Sequence, residues 1–146
     1  ILALAVGAGL RREEIADLRV EDVDLGTGRV RIRHGKGDKE RVTALPPDGI
    51  AAVLAWLGGR QLGPLFVLSP RDVWVALRAR QQVARVAPFT PHDLRRTYAT
   101  RQLRARTPLG SVQATLGHES PMTTQRYDLT EEDQVLADVQ KVSIGW

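Results

Sequence analysis

The chain has 146 residues, 42% of them apolar, and no cysteine, which is enough for one buried core but excludes a disulfide framework or a thiolate metal site. Its apolar opening, Ile1 to Leu10, is interrupted by Gly7 and Gly9 and runs into Arg11-Arg12-Glu13-Glu14; it is too short to cross a bilayer and unlike a signal peptide, so a soluble cytoplasmic protein with no membrane partner is the plain reading. The net charge is only +4, yet Ser69 to Arg106 carries nine arginines against Asp72 and Asp93, a guanidinium-rich stretch that suits either phosphate oxygens or a solvated helix face.

The chain does not begin with Met and opens inside a helical pattern, so it is expected to be a piece of a longer protein. Leu2 to Ala8 and Arg12 to Leu18 predict two short helices meeting at Gly9. Val23 to Leu25, Arg29 to Arg33 and Arg41 to Leu45 alternate around glycine turns and predict three antiparallel strands, the second turn being Gly35-Lys36-Gly37-Asp38-Lys39. Pro46-Pro47 opens a helix with Ile50, Val53, Leu54 and Leu57 on its apolar face and Gly58-Gly59 at its end. Leu62 to Leu68 is a link, and Arg71 to Val86 a helix with Val73 and Leu77 on one face and arginines on the other.

Thr90-Pro91, Thr107-Pro108 and Ser120-Pro121 each predict a hydroxyl N-cap followed by proline in the first helical position, and Gly117 a C-cap. Thr90 and Asp93 have capping-box spacing. A last helix is expected over Glu131 to Val139. The sum is a mainly helical α+β fold of one domain with a small three-stranded antiparallel sheet.

Four constellations carry chemistry. Arg11 and Glu14 lie three apart on one helix face, where a carboxylate can hold a guanidinium for a phosphate. Lys36 sits between glycines on a hairpin turn. His92 and Arg95 share one face of a capped helix, whose positive end favours an anion. Leu116-Gly117-His118 is followed nine residues later by Tyr127.

In order and spacing these motifs resemble the tyrosine recombinase (phage integrase) family, including the Xer recombinases, over about Leu2 to Asp128. The pattern is an arginine after Gly-Leu, a lysine on a β-hairpin, His-x-x-Arg, Leu-Gly-His and a tyrosine nine residues on. The chain has all of it, at Arg11, Lys36, His92, Arg95, His118 and Tyr127.

The resemblance implies the catalytic-domain fold that these enzymes share with type IB topoisomerases. It also implies a site-specific recombinase or integrase that breaks and rejoins DNA through a 3′-phosphotyrosine. Tyr127 would attack the phosphate, Arg11 and Arg95 would clamp its free oxygens, and His118 would add a hydrogen bond. His92 would take the tyrosine's proton, Lys36 would protonate the leaving 5′-oxygen, and Glu14 would orient Arg11 or His92.

Arg12, Arg78, Arg80 and Arg96 are expected on the DNA backbone. No metal, cofactor or ATP is implied, since guanidiniums supply the positive charge and the phosphotyrosine keeps the bond energy. The partner is double-stranded DNA, with a homotetramer on paired sites and a monomer without DNA. The family's helical N-terminal DNA-clamping domain is absent from residues 1–146. Two other readings remain at this point: a type IB topoisomerase and a non-catalytic DNA-binding relic of an integrase. The segment after Tyr127 either folds back on its own core or docks on a neighbouring copy.

Overall fold

The computed structural model describes residues 1–34, 40–117 and 129–145, with side chains except those of residues 129–133. A short π-helix, Ala3–Gly7, is followed by α1 (Arg12–Asp17), a 3-10 turn (Val20–Asp22), β1 (Arg29–Ile32) and β2 (Arg41–Ala44). Five helices come after: α2 (Pro47–Leu57), α3 (Pro70–Ala84), α4 (Pro91–Arg104), α5 (Leu109–Leu116) and α6 (Leu129–Gln140). The mainly helical α+β reading stands.

The sheet differs from expectation. It has two antiparallel strands, Arg29 opposite Ala44 and Ile32 opposite Arg41, and the expected first strand survives only as a bridge between Val23 and Val30. Asp24 is the cause. Its carboxylate accepts from the N–H of Gly26 and Thr27 and from the Thr27 hydroxyl. That side chain offers the backbone a turn in place of a ladder.

Side-chain capping sets the starts of α3 and α4. Thr90 and Ser69 each accept from the N–H three residues on, and Asp93 and Asp72 reach back to them. The expected cap at Thr107 is not made. Pro108 is the N-cap residue, and the buried Thr107 hydroxyl donates to the Gln102 side-chain carbonyl instead. That bond ties the α4–α5 link back to α4 five residues earlier, a competitor that the Thr-Pro signal alone does not register. On α2, Val53 and Leu57 are buried as expected, whereas Leu54 is half exposed.

The main core runs from Leu4, Ala8 and Leu10 of the opening segment through Ile15, Val30, Leu45, Val53, Val73 and Leu77 to Leu94. Two smaller clusters flank it: Tyr98, Val112 and Leu116 between α4 and α5, and Leu136 and Val139 of α6 against Ala44. The segment after α6 folds back in cis. Ile144 is buried and lies where Gly7 and Gly49 have no side chain. Asp48 fastens it, accepting from Ser143 Oγ at 2.5 Å, Ile144 N at 2.7 Å and Gly145 N at 3.1 Å. Gln102 and Arg101 of α4 add bonds to the carbonyls of Val139 and Ile144. Within this chain the tail is part of the core.

Burial alone would raise the Asp48 carboxyl, but the Ser143 hydroxyl and the N–H groups of Gly145 and Ile144 outweigh it and hold the group below its ordinary value. A depressed carboxyl contributes stability above its unfolded pKa and loses that contribution as pH falls through its folded value. Asp48→Ala is therefore expected to lower the melting temperature by about 2–4 °C at neutral pH. The gap from wild type should begin to narrow as pH falls below about 4. Thermal melts across that range check it, and a constant gap overturns it.

Candidate functional site

Arg11 has extended backbone and stands just before α1, and Glu14 is in the first turn of that helix. Glu14 Oε2 accepts the Arg11 N–H at 2.7 Å and Oε1 accepts Arg11 Nη1 at 2.8 Å. From the start of β2, Arg41 grips the same carboxylate from the other side, Nη1 to Oε1 at 2.6 Å and Nη2 to Oε2 at 2.7 Å. Its Nε donates to the Thr115 carbonyl near the end of α5 at 2.9 Å. The side chains of Glu14 and Arg41 are 3% and 8% exposed, that of Arg11 26%. Burial alone would raise the Glu14 carboxyl, but the bonds and charge of Arg41, then the bonds of Arg11, hold it below its ordinary value.

The capped start of α4 puts His92 in its first turn and Arg95 one turn later. Arg95 is buried and donates through Nη1 to the Gly9 carbonyl and through Nη2 to the Leu116 carbonyl. Both acceptors lie where a helical segment ends, and such carbonyls lack intrahelical partners. Gly9 and Gly117 make those endings, with φ of +67° and +59°. Neither has room for a side chain. A Cβ on Gly9 would lie 2.7 Å from the Tyr98 ring, and one on Gly117 2.9 Å from Arg41 Cδ. Burial, with the nearby charges of Arg11 and Arg41, brings the Arg95 guanidinium down to about 10; it stays protonated at neutral pH.

Arg11, Arg12, Glu13, Thr90, Pro91, His92 and Arg95 line one open cleft of about 390 Å³. The guanidiniums of Arg11 and Arg41 are bonded to the single carboxylate of Glu14, and that of Arg95 is near enough to feel the charge of all three. The cluster carries surplus positive charge facing a cleft, the electrostatics of an anion site. His92 is exposed at its rim.

The structure thus brings together Arg11, Arg12, His92 and Arg95, with Glu14 beneath Arg11 and bonded to it. Arg96 is exposed one residue beyond Arg95 on α4. Arg78 lies over the Trp74 ring at 5.9 Å, in a neighbouring groove that shares Thr90 with the first cleft. Arg80 is apart from these, on an apolar cleft with Leu2, Trp56 and Phe66. Lys36, His118 and Tyr127 lie outside the described residues. The chain's other tyrosine, Tyr98, is buried, its hydroxyl 3.0 Å from Thr115 Oγ1, and burial pushes its phenol up. Among the described residues no group of three or more His, Asp or Glu is placed to hold a metal. No helix described is long and apolar enough to cross a membrane.

Sequence reading missed Arg41. In the sequence it is one of four arginines in the alternating segments 29–33 and 41–45, and its partners are 27 and 74 residues away. If Glu14 is the counter-ion of the cluster, Glu14→Gln leaves buried guanidiniums uncompensated and should destabilise the fold by about 3–5 kcal/mol. Urea unfolding measures this, and a loss under about 1 kcal/mol would show that the carboxylate is dispensable.

The model of the phage integrase family matches residues 1–133. The tyrosine recombinase XerA of Thermococcus kodakarensis is 36% identical over 138 residues, covering 87% of this chain and 49% of that protein. Among solved structures, the XerA recombinase superposes with a TM-score of 0.69 at 26% identity, covering 92% of this chain and 55% of the other. The XerH site-specific recombinase bound to its difH substrate, in a pre-cleavage complex, gives 0.65 at 27% identity, covering 82% and 38%. The chain spans about half the length of the curated relatives it matches.

Proposed function

Because the chain belongs to the phage integrase family, we propose that it is the catalytic part of a tyrosine-type site-specific recombinase acting on double-stranded DNA. The observation that carries this reading is the meeting of Arg11, His92 and Arg95 in one cleft, although 80 residues of chain separate the first two. DNA is the partner that a surplus of guanidiniums suits, and the similar XerH was solved with its difH substrate.

The chemistry divides among the residues as follows. Arg11 and Arg95 bind the two non-bridging oxygens of the scissile phosphate, whose charge grows as the fifth oxygen approaches phosphorus. Each keeps N–H groups beyond those it gives to Glu14 or to the Gly9 and Leu116 carbonyls. Tyr127 is the nucleophile; the alternative phenol, Tyr98, is buried and already hydrogen-bonded. Its oxygen forms the bond to phosphorus while the 5′-oxygen leaves, giving a 3′-phosphotyrosine. His92, exposed at the rim, accepts the phenolic proton, Lys36 protonates the departing 5′-oxygen, and His118 adds a hydrogen bond to the phosphate. Fixed guanidiniums neutralise the charge that metal ions meet in other nucleases. The phosphotyrosine conserves the bond energy, so the reading needs neither metal nor ATP.

Exchange between two duplexes cuts four strands. With one such tyrosine per chain, the assembly is a homotetramer on paired sites, formed from monomers. Arg12, in the cleft, and Arg96 and Arg78, beside it, would follow the backbone; Arg80 would extend that track around α3.

A nicked suicide substrate should trap wild type as a slow-migrating protein–DNA adduct on a denaturing gel, and Tyr127→Phe should form none. An adduct from the variant would remove Tyr127 from its role. Lys36→Ala should cleave normal DNA slowly and recover on a 5′-bridging phosphorothiolate, whose sulfur leaves without a proton. For backbone binding, Arg78→Ala should reduce the slope of log affinity against log salt by about one unit. Arg80→Ala should reduce it less, because Arg80 faces a separate cleft. Unchanged slopes would return the arginines of α3 to a solvated face.

A further inference from the structure

We propose that Arg41 is a positioning residue for DNA cleavage, holding Glu14 so that Arg11 stays available to the scissile phosphate; this rests on the recombinase reading above. Arg41 is not placed to touch DNA. Its side chain is 8% exposed, and its bonds run inward to both oxygens of Glu14 and to the Thr115 carbonyl. It also lies against Gly117, the residue before His118, closely enough that no side chain could replace that glycine's hydrogen.

Stability alone is a weak account of this arrangement. Burying a guanidinium costs several kcal/mol, and a buried ion pair seldom outperforms apolar packing of similar volume. Its stoichiometry suggests another use. Arg41 meets Glu14 through two parallel bonds at 2.6 and 2.7 Å, while the Arg11 side chain has one bond to that carboxylate, at 2.8 Å. A carboxylate occupied on both oxygens has less to offer Arg11. Without Arg41, Glu14 would be free to take Arg11 in the two-bond geometry that guanidinium and carboxylate favour. Arg11 would then be drawn off the cleft with its donors spent on Glu14. Arg41 thus limits the hold of Glu14 on Arg11. It also ties β2, which begins five residues after Lys36, to the end of α5, whose Leu116 carbonyl holds Arg95.

The test separates orientation from folding and from affinity. Binding to uncleaved DNA is measured in the Tyr127→Phe background, and the rate of adduct formation at saturating suicide substrate with Tyr127 intact. Arg41→Met should bind DNA within about twofold of wild type yet form adduct roughly 10–100-fold more slowly, the range seen when a partner orienting an active group is removed. Arg41→Lys, keeping the charge but not the two-bond grip, should fall between. In an Arg11→Ala background, Arg41→Met should cost less than about threefold more, because the residue it positions is gone. Equal fold losses in the two backgrounds, or affinity lost in step with rate, overturn the role of Arg41 and leave the recombinase reading intact. No adduct from wild type overturns the recombinase reading itself. If Arg41→Met lacks a cooperative melt, Arg41→Lys carries the same comparison with Arg11→Ala.

Discussion

One carboxylate among three guanidiniums is the constraint around which this site is arranged. Glu14 neutralises only part of the charge of Arg11, Arg41 and Arg95, and in a partly buried setting such repulsion is weakly screened. The chain answers with geometry. Arg41 is immobilised from two sides, Arg95 is anchored on backbone carbonyls, and Arg11 remains the most exposed of the three. Full neutralisation would leave nothing for a phosphate, and none would leave a site unable to stay folded.

The backbone supplies the second half of the arrangement. Gly9 and Gly117 end two helical segments in the left-handed region, and the carbonyls at those ends converge on Arg95. Tyr98 fills the space beside Gly9 and reaches Thr115, whose carbonyl in turn receives Arg41. Two glycines separated by 108 positions therefore act on the same guanidinium, through the carbonyls that their turns present. The anchoring of α6 and the tail by Asp48, Gln102 and Arg101 packs the far side of β2 and α4.

Features with a local cause were legible in the sequence. The caps at Thr90 and Gly117, the proline-led α2 and the pairing of Arg11 with Glu14 each depend on residues within one or two turns of each other. Order and spacing of the motifs identified the family that the comparisons show. What escaped depends on distant partners. Arg41 is indistinguishable by pattern from Arg29 or Arg31 until α1 and α5 are brought against β2. Thr107 fails as an N-cap for a nearer reason: Gln102, five residues back, takes its hydroxyl. The lost first strand is different: its cause, Asp24, is local, but a period-two pattern does not register the capacity of that side chain to close a turn.

The surplus charge has a consequence for how the protein behaves in solution. An unliganded cluster of this kind is electrostatically frustrated, and any anion seated on it relieves the repulsion. Ligands that bind the folded chain and not the unfolded one stabilise it by mass action. By that linkage the thermal stability of this protein should depend on the medium as well as on the chain, rising with any anion that occupies the cluster. On the recombinase reading proposed above, DNA, which presents the same group at high local density, would stabilise the fold by the same linkage.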